Sequence, residues 1–279
     1  MATSERPSDR VDFERPSIAR VSDALMGGQD HYAADRAVLQ QILDIAPDSP
    51  AMAQEVRQWL VRAVRYLTER LGVDQFLDLG SGFPTVENTH RVAQKYDPEA
   101  RVVYVDNDPV VQAHGRALLV DNDYTHISGN DLLRPAETLA DVRRFIDLER
   151  PVGLVLCAVV HHITDLHQAQ QVVKSYVGAL APGSYLVLLH HHNPDDGTEA
   201  ATVAASLQDR FGRTGLDTHY RSRAEIASFF DGLDLLEPGL TAPHEWWPDG
   251  PRLAPLTPVN RTSLCGVARI PQALSRRTQ

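Results

Sequence analysis

The stretch "VDQFLDLGSGFPT", residues 73–85, decides the fold. Phe76, Leu77 and Leu79 make a short apolar run without strict alternation, which fits a strand buried on both faces. Asp78 stands two positions before Gly80-Ser81-Gly82. Glycines there allow a tight turn and close backbone approach to a ligand, which a Cβ would block. A helix expected over about 86–97 follows and turns free N–H groups toward the loop.

The same pattern recurs outward from this point. "ARVVYVDND" (100–108), "PVGLVLCAVV" (151–160) and "GSYLVLLHHH" (183–192) are short apolar runs, and "YTHISGND" (124–131) is a weaker one. Helical stretches at about 109–120, 137–148 and 166–180 separate them. Strands alternating with helices predict an α/β domain with a parallel sheet and helices on both faces. Beyond residue 192, helices are expected near 198–211 and 222–231, then strands in "GLDLLEPGL" and "SLCGVARI".

The amino-terminal quarter reads differently. Residues 1–16 are polar and proline-punctuated, the composition of a disordered tail. Ile18, Val21, Ala24 and Leu25 fall at helical spacing, and Gly27-Gly28 ends that helix. A second helix passes through Leu39, Ile42 and Leu43, and "DIAPDSPAM" breaks it. A third covers about 55–71 and closes at Gly72. Its arginines Arg57, Arg62, Arg65 and Arg70 lie opposite Val56, Trp59, Leu60, Val64 and Leu67, so a solvated face is expected. With no internal repeat or linker, the expected organisation is a tail (1–16), a helical cap (17–72) and one α/β domain (73–271).

The chain has 279 residues, 43% hydrophobic and 23% charged, an ordinary globular composition. No apolar run is long enough to span a membrane. The start lacks the apolar core of a signal peptide, and Cys157 and Cys265 sit in apolar runs, so a cytoplasmic location with free thiols is expected. The formal net charge of -10 argues against a nucleic-acid partner.

Open parallel sheets bind ligands at the carboxyl ends of their strands. Asp106 ends the second strand, where it can accept hydrogen bonds from two ribose hydroxyls, and Asp108 is placed to cap the next helix. A nicotinamide dinucleotide and S-adenosyl-L-methionine both fit that geometry. The dinucleotide fingerprint lacks its third glycine, where Thr85 stands, and no Tyr-x-x-x-Lys pair exists. Asp78 favours the methyl donor, whose amino group it can balance while the loop N–H groups face its carboxylate.

These residues resemble the class I S-adenosylmethionine-dependent methyltransferases. More narrowly, "MGGQDHYAADR", "FLDLGSGFPT", "VVYVDNDPVV", "EPGL" and "GVAR" resemble an actinobacterial S-adenosyl methyltransferase family long catalogued as a domain of unknown function. The resemblance implies a Rossmann-like, seven-stranded, mostly parallel sheet with its last strand antiparallel. It implies that Gly80, Ser81 and Gly82 hold the methionine part, Asp106 the ribose, and Asn107, Asn130 and Asp131 the adenine. "VVHHITD" resembles a motif of small-molecule methyltransferases, which puts His161 and His162 on the acceptor side. The cap is expected to deliver Gly28, His31 and Tyr32 over the donor.

No metal site is expected, because neither H-x-x-x-H on a helix nor a Cys/His spacing is present. Adjacent histidines on a strand also face opposite ways. An imidazole suits a general base for a hydroxyl acceptor, and either His161 or His162 fits that role. His190–His192 lie nearby by topology. Trp246, Trp247, Tyr220 and Phe229 are expected in the core rather than in an acceptor pocket. The expected activity is O- or N-methylation of a small molecule. A donor-binding regulator without turnover is the alternative.

Overall fold

The computed structural model describes residues 11–272 apart from 86, 120, 121 and 253. Three helices come first: α1 (Ile18–Leu25), α2 (Ala33–Leu43) and α3 (Ser49–Leu71). Then β1 (Gln75–Leu79), β2 (Arg101–Val105), β3 (Thr125–Ser128), β4 (Gly153–Cys157) and β5 (Tyr185–His191) alternate with α4 (Thr89–Gln94), α5 (Pro109–Leu118), α6 (Pro135–Val142) and α7 (Leu166–Val177). The chain ends with α8 (Glu199–Thr214), α9 (Arg223–Ala227), β6 (Asp234–Leu235) and β7 (Ser263–Arg269).

The seven strands lie in the order β3-β2-β1-β4-β5-β7-β6. The first five pair in parallel, and β7 runs against both of its neighbours. Alternate strand residues feed two cores, as the two-residue period of a strand requires. On one face Leu77, Val103 and Leu154 meet Val142, Val173 and Tyr176. On the other, Phe76, Val102 and Val155 meet Trp59, Ala63 and Leu67 of α3. Trp246 joins that second layer edge-on to Trp59 at 6.5 Å, and Trp247 leans on Trp246 at 4.7 Å. A third cluster binds the cap to α8, with Val21, Val38 and Ile42 against Leu207, Phe211 and Tyr220.

Some expected boundaries move, for local reasons. α3 starts at Ser49, inside the stretch read as a break. Its Pro50 sits in the first turn, where no N–H is needed. The last-but-one strand shrinks to Asp234–Leu235, two exposed residues at the sheet edge. The solvated arginine face of α3 is also corrected. Arg62 is only 7% exposed and donates to the carbonyls of Trp246 and Pro243 at 3.2 and 2.7 Å. Residues 1–10 of the expected tail lie outside the described residues. Residues 11–16 form neither helix nor strand, but Arg20 donates to the carbonyls of Asp12 and Arg15, and Phe13 packs on Tyr32. Among the described residues no helix is long and apolar enough to cross a membrane.

Candidate functional site

A cavity of about 490 Å³ opens at the carboxyl ends of β1, β2 and β4. The strand ends form one wall. α1, α3 and α8 form the other, so the cap roofs the point where the strand order reverses.

The glycine loop and Asp106 are built as one unit. Leu79 pairs with Val105, so the loop and Asp106 leave the sheet side by side. The Asp106 carboxylate accepts from the N–H of Gly82 and of Asp108, each at 2.9 Å, and burial raises its pKa. Gly80 and Gly82 hold φ of 67° and 65°, left-handed values that favour glycine. A Cβ on Gly80 would also lie 2.3 Å from the Val159 side chain. Asp108 caps α5, accepting from Val110 N at 2.8 Å, while its second oxygen accepts from Ser17 Oγ of the cap at 2.6 Å.

One expectation fails here. The loop N–H groups do not face a ligand carboxylate. Those of Gly80 and Ser81 donate to Val105 O at 2.8 and 3.3 Å, and that of Gly82 to Asp106. The loop contributes space, and Ser81 Oγ, which is buried without a partner.

Asp78 lies in the cavity wall below the loop and accepts from Thr89 Oγ1 at 2.7 Å. Burial pushes its pKa up to about 6 from an ordinary 3.8. The folded state therefore holds the proton more tightly than the unfolded chain. Stability falls as pH rises from about 4 through 6. Asp78→Asn removes that cost and is expected to stabilise the protein by on the order of 2 kcal/mol at pH 8. Denaturant titrations should show the gain vanish near pH 4. An equal gain at both pH values would contradict the buried-charge account.

Asn107, Asn130 and Asp131 lie in the cavity wall. The Asn130 amide is already engaged, donating to Ser128 Oγ at 2.8 Å and Asp141 Oδ2 at 3.0 Å. Asp131 Oδ1 accepts from Leu133 N at 2.9 Å.

The two acceptor-side histidines are not on a strand. β4 ends at Cys157, Ala158 takes φ of 57°, and Val160–His162 form a 3-10 turn. Both rings line the cavity, edge to face at 4.3 Å, instead of facing opposite ways. His161 also stacks on His191 at 3.7 Å, and His191 on Tyr220 at 4.6 Å. His162 Nδ1 lies 2.9 Å from Asp217 O, a carbonyl that can only accept, so Nδ1 carries the hydrogen. Nε2 then keeps its lone pair. Burial lowers the pKa of all four of His161, His162, His190 and His191, so all are neutral near pH 7. Behind them, His190 Nδ1 donates to His191 O and Arg221 donates to His190 Nε2, each at 2.6 Å. His191 and Tyr220 are wall residues that the sequence left unassigned or in the core. Trp246 and Phe229 are buried core residues, as expected.

Gly28, His31 and Tyr32 do not reach the cavity wall. The turn after α1 folds back on Asp23, which accepts from Asp30 N at 2.8 Å and lies 3.3 Å from His31 Nδ1. Gly28 is glycine because a Cβ would lie 1.9 Å from the Asp23 carboxylate. Tyr32 N donates to Asp35 at 2.8 Å, and its ring meets Phe13 and Arg20. The cap presents Ser22, Leu25 and Met26 of α1 and the turn after it instead.

Among the described residues no three His, Cys, Asp or Glu side chains are grouped to hold a metal ion. The sheet order, the reversed β7 and the acidic strand ends define a class I, Rossmann-like methyltransferase fold. Residues 4–271 match the S-adenosyl methyltransferase family, and the chain belongs to it. Its methyl donor is S-adenosyl-L-methionine. A DUF574 family protein from Streptomyces avermitilis is similar, with 34% identity, a TM-score of 0.88, and coverage of 94% of this chain and all of that one. A candidate methyltransferase from Thermobifida fusca is 39% identical, with a TM-score of 0.87 over 97% of this chain and all of its own. An S-adenosylmethionine-dependent methyltransferase from Methanosarcina mazei shares the fold at 13% identity and a TM-score of 0.50, over 76% of this chain and 98% of its own. A search of curated proteins finds no match.

Proposed function

We propose that the protein methylates a hydroxyl or amine of a small, uncharged, largely apolar molecule held beneath the cap. One observation carries this reading. A single cavity joins the acidic strand ends to a chamber of apolar side chains, including Leu25, Met52, Leu207 and Phe211, edged by His161, His162 and His191. Its acids Asp78, Asp106, Asp108 and Asp131 suit a cationic donor. The buried, unpartnered Ser81 Oγ and Arg57 Nε are polar groups that such a ligand would satisfy.

When bound, the donor supplies an electrophilic methyl group on a sulfonium. Asp106 would hold the ribose, with Asn107, Asn130 and Asp131 around the adenine. Apolar walls exclude water and align the acceptor with the methyl. His162 Nε2 is the base in this reading. It takes the acceptor's proton as oxygen or nitrogen bonds to the methyl carbon and the carbon–sulfur bond breaks. Neutral walls select a neutral acceptor, because an unpaired charge would lose its hydration there.

Calorimetry with S-adenosylmethionine, then transfer of labelled methyl to a panel of phenols, alcohols, amines and carboxylic acids, tests the reading. Uptake by uncharged apolar hydroxyl or amine compounds is expected. No binding at millimolar donor would end it. Binding without turnover on the panel would point to a donor-sensing protein. His162→Ala is expected to lower kcat about 100-fold and to remove the acid limb of the pH profile. A variant with the wild-type profile would exclude His162 as base.

A further inference from the structure

The strand-end side of the cavity is acidic, and Arg57 is the one arginine or lysine among the described residues lining the cavity. S-adenosylmethionine carries two cationic groups, the sulfonium and the ammonium, and one anion, the α-carboxylate. The aspartates match the cations. The carboxylate needs a donor, and the glycine loop from Gly80 to Gly82 offers no free N–H. The N–H groups of Gly80, Ser81 and Gly82 are all engaged within the protein. α4, which follows the loop, has only six residues and starts at Thr89.

Arg57 enters from α3. Its Nη2 donates to Glu87 O, on the segment returning from the glycine loop. Its Nε is buried with no partner, and so is Ser81 Oγ on the loop itself. The Arg57 charge also acts on Asp78, in the same wall.

We propose that Arg57 is the carboxylate-binding residue of the donor site, with Ser81 Oγ beside it and Asp78 taking the ammonium. The site then reads the whole amino-acid tail and not only the adenosine. An arginine suits this task because its fixed N–H fork matches a carboxylate. The inference rests on S-adenosylmethionine being the donor, which the family assigns.

The test compares three ligands by calorimetry on the full chain: S-adenosylmethionine, its decarboxylated form, and methylthioadenosine, which lacks the amino-acid part. Wild-type protein is expected to prefer S-adenosylmethionine to the decarboxylated form by roughly 10–100-fold, the worth of a charged hydrogen-bonded contact. Arg57→Ala should erase that preference while leaving methylthioadenosine binding within about threefold, and Arg57→Lys should keep part of it. Equal binding of both forms by wild type would overturn the proposal. So would equal losses for all three ligands in Arg57→Ala, which would mean that Arg57 only pins the Glu87 segment. If Arg57→Ala fails to fold, Arg57→Lys and Ser81→Ala carry the same comparison, and an undiminished preference in both overturns it. Wild-type protein that binds no S-adenosylmethionine overturns the donor assignment itself, a separate and visible failure.

Discussion

Between pH 6.5 and pH 5 the protein is expected to lose most of its stability. His161, His162, His190 and His191 are buried together beside the cavity, and desolvation holds each pKa below 6.5, that of His191 at about 3. The folded state keeps these rings neutral, while the unfolded chain protonates them below 6.5. Their contribution is therefore fully present above 6.5 and is lost as pH falls. A ring that stays neutral in the folded state costs about 1.4 kcal/mol per pH unit below that point. By pH 5.5 His161, His190 and His191, held well below 6.5, together remove about 4 kcal/mol, and His162 adds in the same direction; that is comparable with the whole stability of marginal domains. Asp78 and Asp106, whose pKa values burial raises, act in the opposite direction. Denaturant midpoints at pH 7.5, 6.5 and 5.5 check this. His191→Phe keeps the stacked ring and should flatten the slope. A midpoint indifferent to pH would show that the cluster admits water or protons in the folded state.

Asp35→Ala is expected to detach the cap, at about 3–5 kcal/mol. Asp35 is fully buried and Arg20 is 4% exposed. The carboxylate accepts from Arg20 Nε at 2.8 Å, Ser17 N at 2.9 Å and Tyr32 N at 2.8 Å. Its loss strands a buried guanidinium and frees two backbone donors at the helix starts. Hydrogen exchange over residues 17–36 should rise sharply while the strands stay protected. Donor affinity should fall as well, because α1 forms part of the roof. Replacing both partners with apolar residues of similar size, Asp35→Leu with Arg20→Met, should recover most of the loss. A cap that stays protected in Asp35→Ala would contradict this account.

The sheet was readable because its strands are buried on both sides, which leaves apolar runs such as 102–105 and 151–160. The edge strand β6 was not, because two exposed residues leave no pattern. The strand-end rule led to Asp78, Asp106 and Asp131, since an open parallel sheet fixes where its strands end. Residues brought in by tertiary packing were harder. Arg57 lies on the polar side of α3, and helical phase does not say whether that side faces water or a cavity. The "DHY" of the cap is rich in chemistry, yet its polar groups fasten a turn to Asp23 and Asp35. The apolar α1 residues Val21 and Leu25, legible only as a helix stripe, turn out to face the site. His191 needed a stacking distance that no spacing contains.

All three tryptophans, Trp59, Trp246 and Trp247, sit in or beside the layer between α3 and the sheet, and none lines the cavity. Intrinsic emission therefore reports the packing of that layer. Filling the cavity should leave the emission nearly unchanged, and so should loosening of the cap in Asp35→Ala. Folding and occupancy become separate signals, one optical and one calorimetric. A tryptophan placed at Phe211, in the cavity wall, would give the site a fluorophore of its own.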